Sequence, residues 1–293
     1  MSTLWKDIRY KLLQSDSKLG LLIGINVIVF LAVTIPGIFE AWFFKSTYIA
    51  AFADKYLQLP ANLKTLAYHF WTPITYMFMH AGVFHILFNM LWLYWMGQIF
   101  EEYLGHKRTV IVYLLGGLAG AVFFVAAINL LPMFADPQWQ AVTVVGASAS
   151  VMAFVVATAT LLPNYEIFLM FLGPVKLKWL AIFYVLIDFL GTIGPNAGGE
   201  FAHLGGALIG FIYIKQLQKG NDWSTPINKM FTPKPKIKVV QGGGGGNTRN
   251  TSANTLPRQD EVDRILDKIS QSGYDSLSKQ EKETLFRASN NDR

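Results

Sequence analysis

No cysteine occurs among the 293 residues. Disulfides, thiolate metal sites and a cysteine nucleophile are therefore excluded together, while the redox compartment is left open. Charge is scarce as well: 15% of residues are charged, against about 25% in an average soluble domain. The first apolar block has no A-x-A cleavage site, and there is no internal repeat of the kind many transporters carry. What the chain has in abundance is apolar sequence. Hydrophobic residues make up 52% and fall in long blocks separated by short polar turns over the first three quarters. Such blocks point to lipid rather than to a soluble core. The net charge of +6 raises the question of nucleic acid. The basic residues, however, flank apolar blocks, where the positive-inside rule accounts for them, and no nucleic-acid motif is present. No nucleic-acid partner is expected.

A membrane-spanning helix needs about 20 mostly apolar residues. The first block, 19 to about 39, meets this and reads as an anchor. Further blocks at 73–100, 109–131, 142–162, 177–190 and 201–217 bring the expected spans to six. The fifth is the shortest, because Gly173-Pro174 interrupts the run before it. Lys6, Arg9, Lys11 and Lys18 precede the first span, and Lys107 and Arg108 follow the second. Lys176 and Lys178 lie around the junction of the fourth and fifth, and Lys215 and Lys219 mark the end of the sixth. With six spans all four clusters fall on one side, which makes both termini cytoplasmic. The long loop at 40–70 carries Trp42, Phe43, Phe44, Tyr48, Phe52 and Tyr56. It reads either as an interfacial segment in the headgroup layer or as an ordinary packed loop, and the aromatics favour the first.

The expected organisation is a cytosolic segment at 1–18, a six-span bundle at 19–217, a linker at 218–257 and a cytosolic helical hairpin at 258–293. The linker holds Pro226, Pro233, Pro235 and a run of glycines at 242–246. Beyond it Val262, Ile265, Leu266 and Ile269 recur at helical spacing, and Gly273 ends that helix. Ser278 and Glu281 then form a capping box opening a second helix. Two short apolar stripes make little core alone, so the hairpin is expected to pack weakly on itself or on a partner of unknown identity.

Polar side chains inside a bilayer are costly and each needs a reason. The second span opens with His80, His85 and Asn89. His85 and Asn89 lie one turn apart on one face, and His80 is displaced from them by about 140°. They are either polar glue between helices or donors aimed at a site. The fourth span opens Gly146-Ala-Ser148-Ala-Ser150, whose small residues let another backbone come close and leave N–H groups near the hydroxyl. The sixth carries His203 followed by Gly206 and Gly210, a small-residue ridge that suits close approach to the fourth. Contact between Ser148 and His203 is then sterically allowed, and a serine nucleophile needs such a base.

Taken in order on alternate spans, H-x4-H-x3-N at 80–89, G-x-S at 146–148 and A-H-x2-G-x3-G at 202–210 resemble the signature of the rhomboid intramembrane proteases. Trp71 is similar to the family's first-loop tryptophan, and Glu101 within Gly97-x3-Glu101-x3-Gly105 to its acidic residue ending the second span. The resemblance covers about 19–217. It implies an all-α polytopic membrane protein, a six-helix rhomboid-like bundle with an interfacial first loop, in the inner or plasma membrane of a prokaryote. It implies an intramembrane serine endopeptidase, with Ser148 as nucleophile, His203 as general base and no third acidic member. His85, Asn89 and the N–H of Ser148 would form the oxyanion hole, with His80 in support, and a loop at 191–199 would cap the site. Single-pass transmembrane proteins would be the substrates. Two positions depart from the pattern: Thr72 stands where the family often has Arg, and Met152 where it often has Tyr. Asp188 has no counterpart in the pattern; a structural hydrogen bond is expected there ahead of a polar cavity or the substrate gate. No metal or organic cofactor is expected, because the histidines show no carboxylate or thiolate companion at ligand spacing. The rival readings are an inactive rhomboid-like helix-binding protein and a transporter; solute uptake that survives Ser148→Ala would favour the latter.

Overall fold

The computed structural model describes residues 17–169, 173–223 and 259–289. Lys6, Arg9 and Lys11, and the greater part of the expected linker, lie outside them. The chain divides into two compact units, Met1–Lys234 and Pro235–Arg293. The first unit begins with α1 (Lys18–Phe44), α2 (Tyr48–Tyr56), β1 (Leu59–Pro60), α3 (Leu63–Tyr68) and α4 (Thr72–Thr75). It continues with α5 (Val83–Leu104), α6 (His106–Leu130), β2 (Thr143–Val144) and α7 (Ser148–Leu161). It ends with β3 (Glu166–Leu169), β4 (Gly173–Lys176), α8 (Leu177–Gly191) and α9 (Ala197–Gln218).

Six of these helices are the expected apolar segments. Four of them, α1, α5, α6 and α9, are long and apolar enough to cross a membrane, while α7 has 14 residues and α8 has 15. Large apolar side chains cover their outward faces, among them Ile28, Phe84, Phe189 and Leu190, all exposed. That surface suits lipid. The second span starts ten residues later than its apolar run. Pro73 occupies the first turn of α4, a 3₁₀ turn follows at Tyr76–Phe78, and α5 begins only after Gly82. Between α7 and α8 the chain makes an antiparallel hairpin, β3 with β4, which Gly173 enters at φ 71°.

α7 sits at the centre. Ten of its 14 residues are buried, because α6 and α9 both present glycines to it. A Cβ at Gly116 would stand 2.6 Å from that of Ala153 and 2.9 Å from the Cα of Ser150. On the other side a Cβ at Gly206 or Gly210 would run into the carbonyls of Ala149 and Ala153. Small residues thus bring three backbones together, and dispersion across that seam holds them where the hydrophobic effect does not. Fourteen residues rise only about 21 Å, less than the roughly 30 Å of hydrocarbon. One end of α7 therefore stops inside the membrane thickness.

Buried polar groups tie the other spans. The Glu101 carboxylate, near the end of α5, accepts from Ser17 Oγ at 2.6 Å and from the backbone N–H groups of Lys18 and Leu19 at 2.9 and 3.3 Å. These are donors that the first turn of α1 leaves open. Asn26 donates to the Tyr113 hydroxyl at 2.9 Å, which donates onward to the Met77 carbonyl at 2.9 Å. That chain joins α1, α6 and the turn before α5. The first loop is ordered. Glu40 accepts from the N–H groups of Tyr48 and Ile49, capping α2, and β1 pairs with β2 just before α7. Trp42, Phe43 and Phe44, which lie in the last turn of α1 and not in the loop, and Tyr48 at the start of α2 are exposed.

The second unit holds α10 (Gln259–Ser272) and α11 (Lys279–Ser289). Gly273 takes φ 76° between them. The Ser278 N–H donates to Glu281 at 2.7 Å and the Glu281 N–H donates to Ser278 Oγ at 3.3 Å, a reciprocal capping box. Lys268 of α10 meets Glu281 at 2.9 Å, and Ile265 and Leu277 are the buried apolar side chains among the described residues of this unit.

Candidate active site

Gly146 sets the position of Ser148. Its N–H donates to the Tyr76 carbonyl at 3.0 Å, and its φ of 126° is open to glycine but not to side-chain-bearing residues. A Cβ there would lie 2.8 Å from His85 Nε2 and 3.4 Å from Ser148 Oγ. His85 and Ser148 therefore converge on this glycine. Ser148 is the first residue of α7, after Ala147 at the cap. The N–H groups of a first turn have no partner within their helix, so they stand beside the hydroxyl and carry the positive end of the helix dipole.

The side chains of Ser148, His203, Asn89, Met152, Tyr184 and Asp188 line one cavity of about 180 Å³. The ridge of Gly206 and Gly210 brings α9, and His203 with it, against the start of α7. No hydrogen bond joins Ser148 to His203 among the described residues, and such contacts are often longer in an unliganded site. His85 Nδ1 accepts from the Ala81 N–H at 3.3 Å, which leaves Nε2 toward Gly146 and Ser148. Asn89 spends one amide hydrogen on the His85 carbonyl at 2.8 Å. His80 lies elsewhere. It packs edge-on against His85, with ring centroids 5.2 Å apart, but it lines a separate cavity of about 400 Å³ with Glu40 and Asp54. Trp71 belongs to the loop scaffold, donating to the Tyr56 carbonyl at 2.7 Å. The 191–199 segment is a tight connection, from the end of α8 at Gly191 to the start of α9 at Ala197.

One expectation needs correction. His203 does have carboxylate companions: Asp188 Oδ1 lies 3.1 Å and Glu200 Oε2 3.4 Å from its Nδ1. The ligating atoms of the three residues lie within 4.8 Å of one another. Glu200 precedes His203 by one turn of α9, so its approach was visible in the spacing. Asp188 comes from α8, and only the fold joins it to the ring. Its one sequence signal was being a lone carboxylate in an apolar run.

Residues 67–219 match the rhomboid domain model, and residues 250–291 match a family of unknown function (DUF6576). The chain is 30% identical over 206 residues to RHOMBOID-like protein 12, mitochondrial, of Arabidopsis thaliana, covering 67% of this chain and 59% of that one. RHOMBOID-like protein 1 of the same plant is 30% identical over 172 residues, 57% of this chain and 40% of its own. RHOMBOID-like protein 6, mitochondrial, is 31% identical over 162 residues, 51% and 46% respectively. The chain thus spans about half the length of the curated relatives it matches. Helical bundle, apolar exterior and domain match agree on an integral membrane protein, and the chain belongs to the rhomboid family.

Proposed function

We propose that this chain is an intramembrane serine endopeptidase that cleaves single-pass membrane proteins in or near their transmembrane segments. The observation that carries the reading is a serine at the open N-terminus of a buried, short helix, facing one cavity with a histidine from the glycine-ridged helix beside it. His203 takes the proton of Ser148 as Oγ attacks the scissile carbonyl. Oγ–C forms, the carbonyl π bond opens onto oxygen, and His203 then returns the proton to the leaving amine as C–N breaks. Water, activated by the same imidazole, hydrolyses the ester. The developing oxyanion is met by the N–H of Ser148, His85 Nε2 and the second amide hydrogen of Asn89, and such donors are worth about 10²–10³ in rate each. His80 supports His85 from behind through their ring contact. The chemistry is supplied by side chains, without metal or organic cofactor.

Lys107, Arg108, Lys176, Lys178, Lys215 and Lys219 mark the cytoplasmic end, so the site opens to the opposite side. The C-terminal hairpin lies in the cytosol and meets a partner there. The test is cleavage of a labelled transmembrane reporter by the purified full chain in proteoliposomes. The parent is expected to cleave, with Ser148→Ala and His203→Ala each losing at least about 10³-fold. A parent that cleaves none of several reporters would replace this reading with an inactive, helix-binding rhomboid.

A further inference from the structure

We infer that Asp188 is the positioning residue for His203, holding its Nδ1–H and turning the serine–histidine pair into a three-membered relay completed from α8. This rests on the protease reading above. The contact is informative because of what it asks of the ring. A carboxylate oxygen 3.1 Å from Nδ1 is attractive only if Nδ1 carries a hydrogen. In the neutral imidazole Nε2 is then the bare nitrogen, the form needed to take a proton from Ser148. Asp188, His203 and Ser148 line the same cavity. The imidazolium formed during attack also gains a fixed countercharge in a poorly solvated site, where such a charge acts strongly.

Two carboxylates face Nδ1, and the details separate them. Asp188 is nearer and buried, and its second oxygen has no partner among the described residues. Glu200 lies at 3.4 Å, is more exposed, and has its other oxygen occupied by Asn196 Nδ2 at 3.1 Å. Asp188 therefore orients the ring, and Glu200, for which Gly191 leaves room, is an auxiliary. A purely structural account makes Asp188 a clamp holding α8 to α9. The two differ in what they predict: a clamp acts through stability and substrate affinity, and a positioning residue through turnover.

The experiment measures kcat, KM and melting temperature for the full chain in proteoliposomes, using the labelled transmembrane reporter. The variants are Asp188→Asn, Asp188→Glu, Glu200→Gln, Ser148→Ala and the Asp188→Asn/Ser148→Ala pair. The asparagine variant keeps the shape but offers an amide that can donate, so the wrong tautomer is favoured. Asp188→Asn is expected to lower kcat by about 10²–10³-fold with KM and melting temperature unchanged. Asp188→Glu should recover a large part of the loss, Glu200→Gln should cost less than about tenfold, and Asp188→Asn should add nothing in the Ser148→Ala background. A cleaving parent matched by Asp188→Asn overturns this inference alone. A rise in KM or a drop in melting temperature without a fall in kcat overturns it in favour of the clamp. Inhibition by a chelator that Asp188→Asn abolishes overturns it in favour of a cation held by Asp188, Glu200 and His203. A parent that cleaves nothing overturns the protease reading and this inference with it.

Discussion

Gly206 faces the carbonyl of Ala149, one residue beyond Ser148, at a distance that leaves no room for a side chain. Gly206→Val must push α9 away from α7, and His203 rides on α9. Overpacking of this kind costs about 1–3 kcal/mol. The expected result is a lower melting temperature together with loss of cleavage. Gly37→Ala, where nothing lies within 4 Å of the added methyl, should melt like the parent. The same glycine explains why Ser148 and His203 were legible without a structure. Ser148 sits within a run of small residues and His203 just before Gly205, Gly206 and Gly210, and small residues on two spans announce that those spans meet. Asp188 carried no such announcement. Its neighbour on the next helix is fixed by the rotation of α8, which no spacing within 177–190 encodes. The surroundings of His80 were equally out of reach: its sequence distance to His85 places it near the helix entrance, but the cavity it joins is built largely by α1 and α2.

Helix ends carry the charges that matter for the elements. Glu101 closes the first turn of α1 with three donors and meets His106 Nδ1 at 2.9 Å, all from a buried position near the end of α5. Glu101→Ala leaves those donors unpaired, and a charge-assisted bond contributes about 1.5–3 kcal/mol. The variant should show a clearly reduced melting temperature in detergent, with α1 the first segment to gain proteolytic sensitivity. In the C-terminal hairpin the Ser278 N–H, with help from Lys268, holds Glu281 down from 4.5 to about 2. A carboxylate depressed by folding contributes stability that is present above its unfolded value and lost as pH falls through its folded one. The hairpin should therefore be steady above about pH 5 and weaken between 4.5 and about 2. The amide resonance of Ser278 should titrate near pH 2, and Lys268→Ala, which removes the ammonium but leaves the capping box, should move that midpoint toward the ordinary carboxylate range. Elements like these obey local rules, so caps, glycine stops and six apolar runs could be read directly. The β3–β4 hairpin could not, because Ile167, Phe168 and Leu169 are as apolar as the helices on either side, and only the pairing across Gly173 separates them.

At the scale of the molecule, the bundle does not end with the apolar run of α9. Arg108, at the start of α6, donates to Asp222 through Nη2 at 2.7 Å and Nε at 3.2 Å. Trp223 packs edge-on against the buried Tyr213 ring, with centroids 6.0 Å apart. Those contacts tie the residues after α9 back to its own last turns and to the junction of α5 and α6. A chain cut after 217 removes both, leaves the Arg108 guanidinium without its carboxylate and uncovers Tyr213, at a cost of about 2–4 kcal/mol. A chain cut after 223 keeps them and loses only the residues from 224 onward, including the hairpin matched to a family of unknown function. The shorter chain should melt lower than the full protein, and the longer one should melt and cleave like it. If the chain ending at 223 melts like the full protein but cleaves poorly, the hairpin takes part in proteolysis itself, and the catalytic unit extends beyond the six helices.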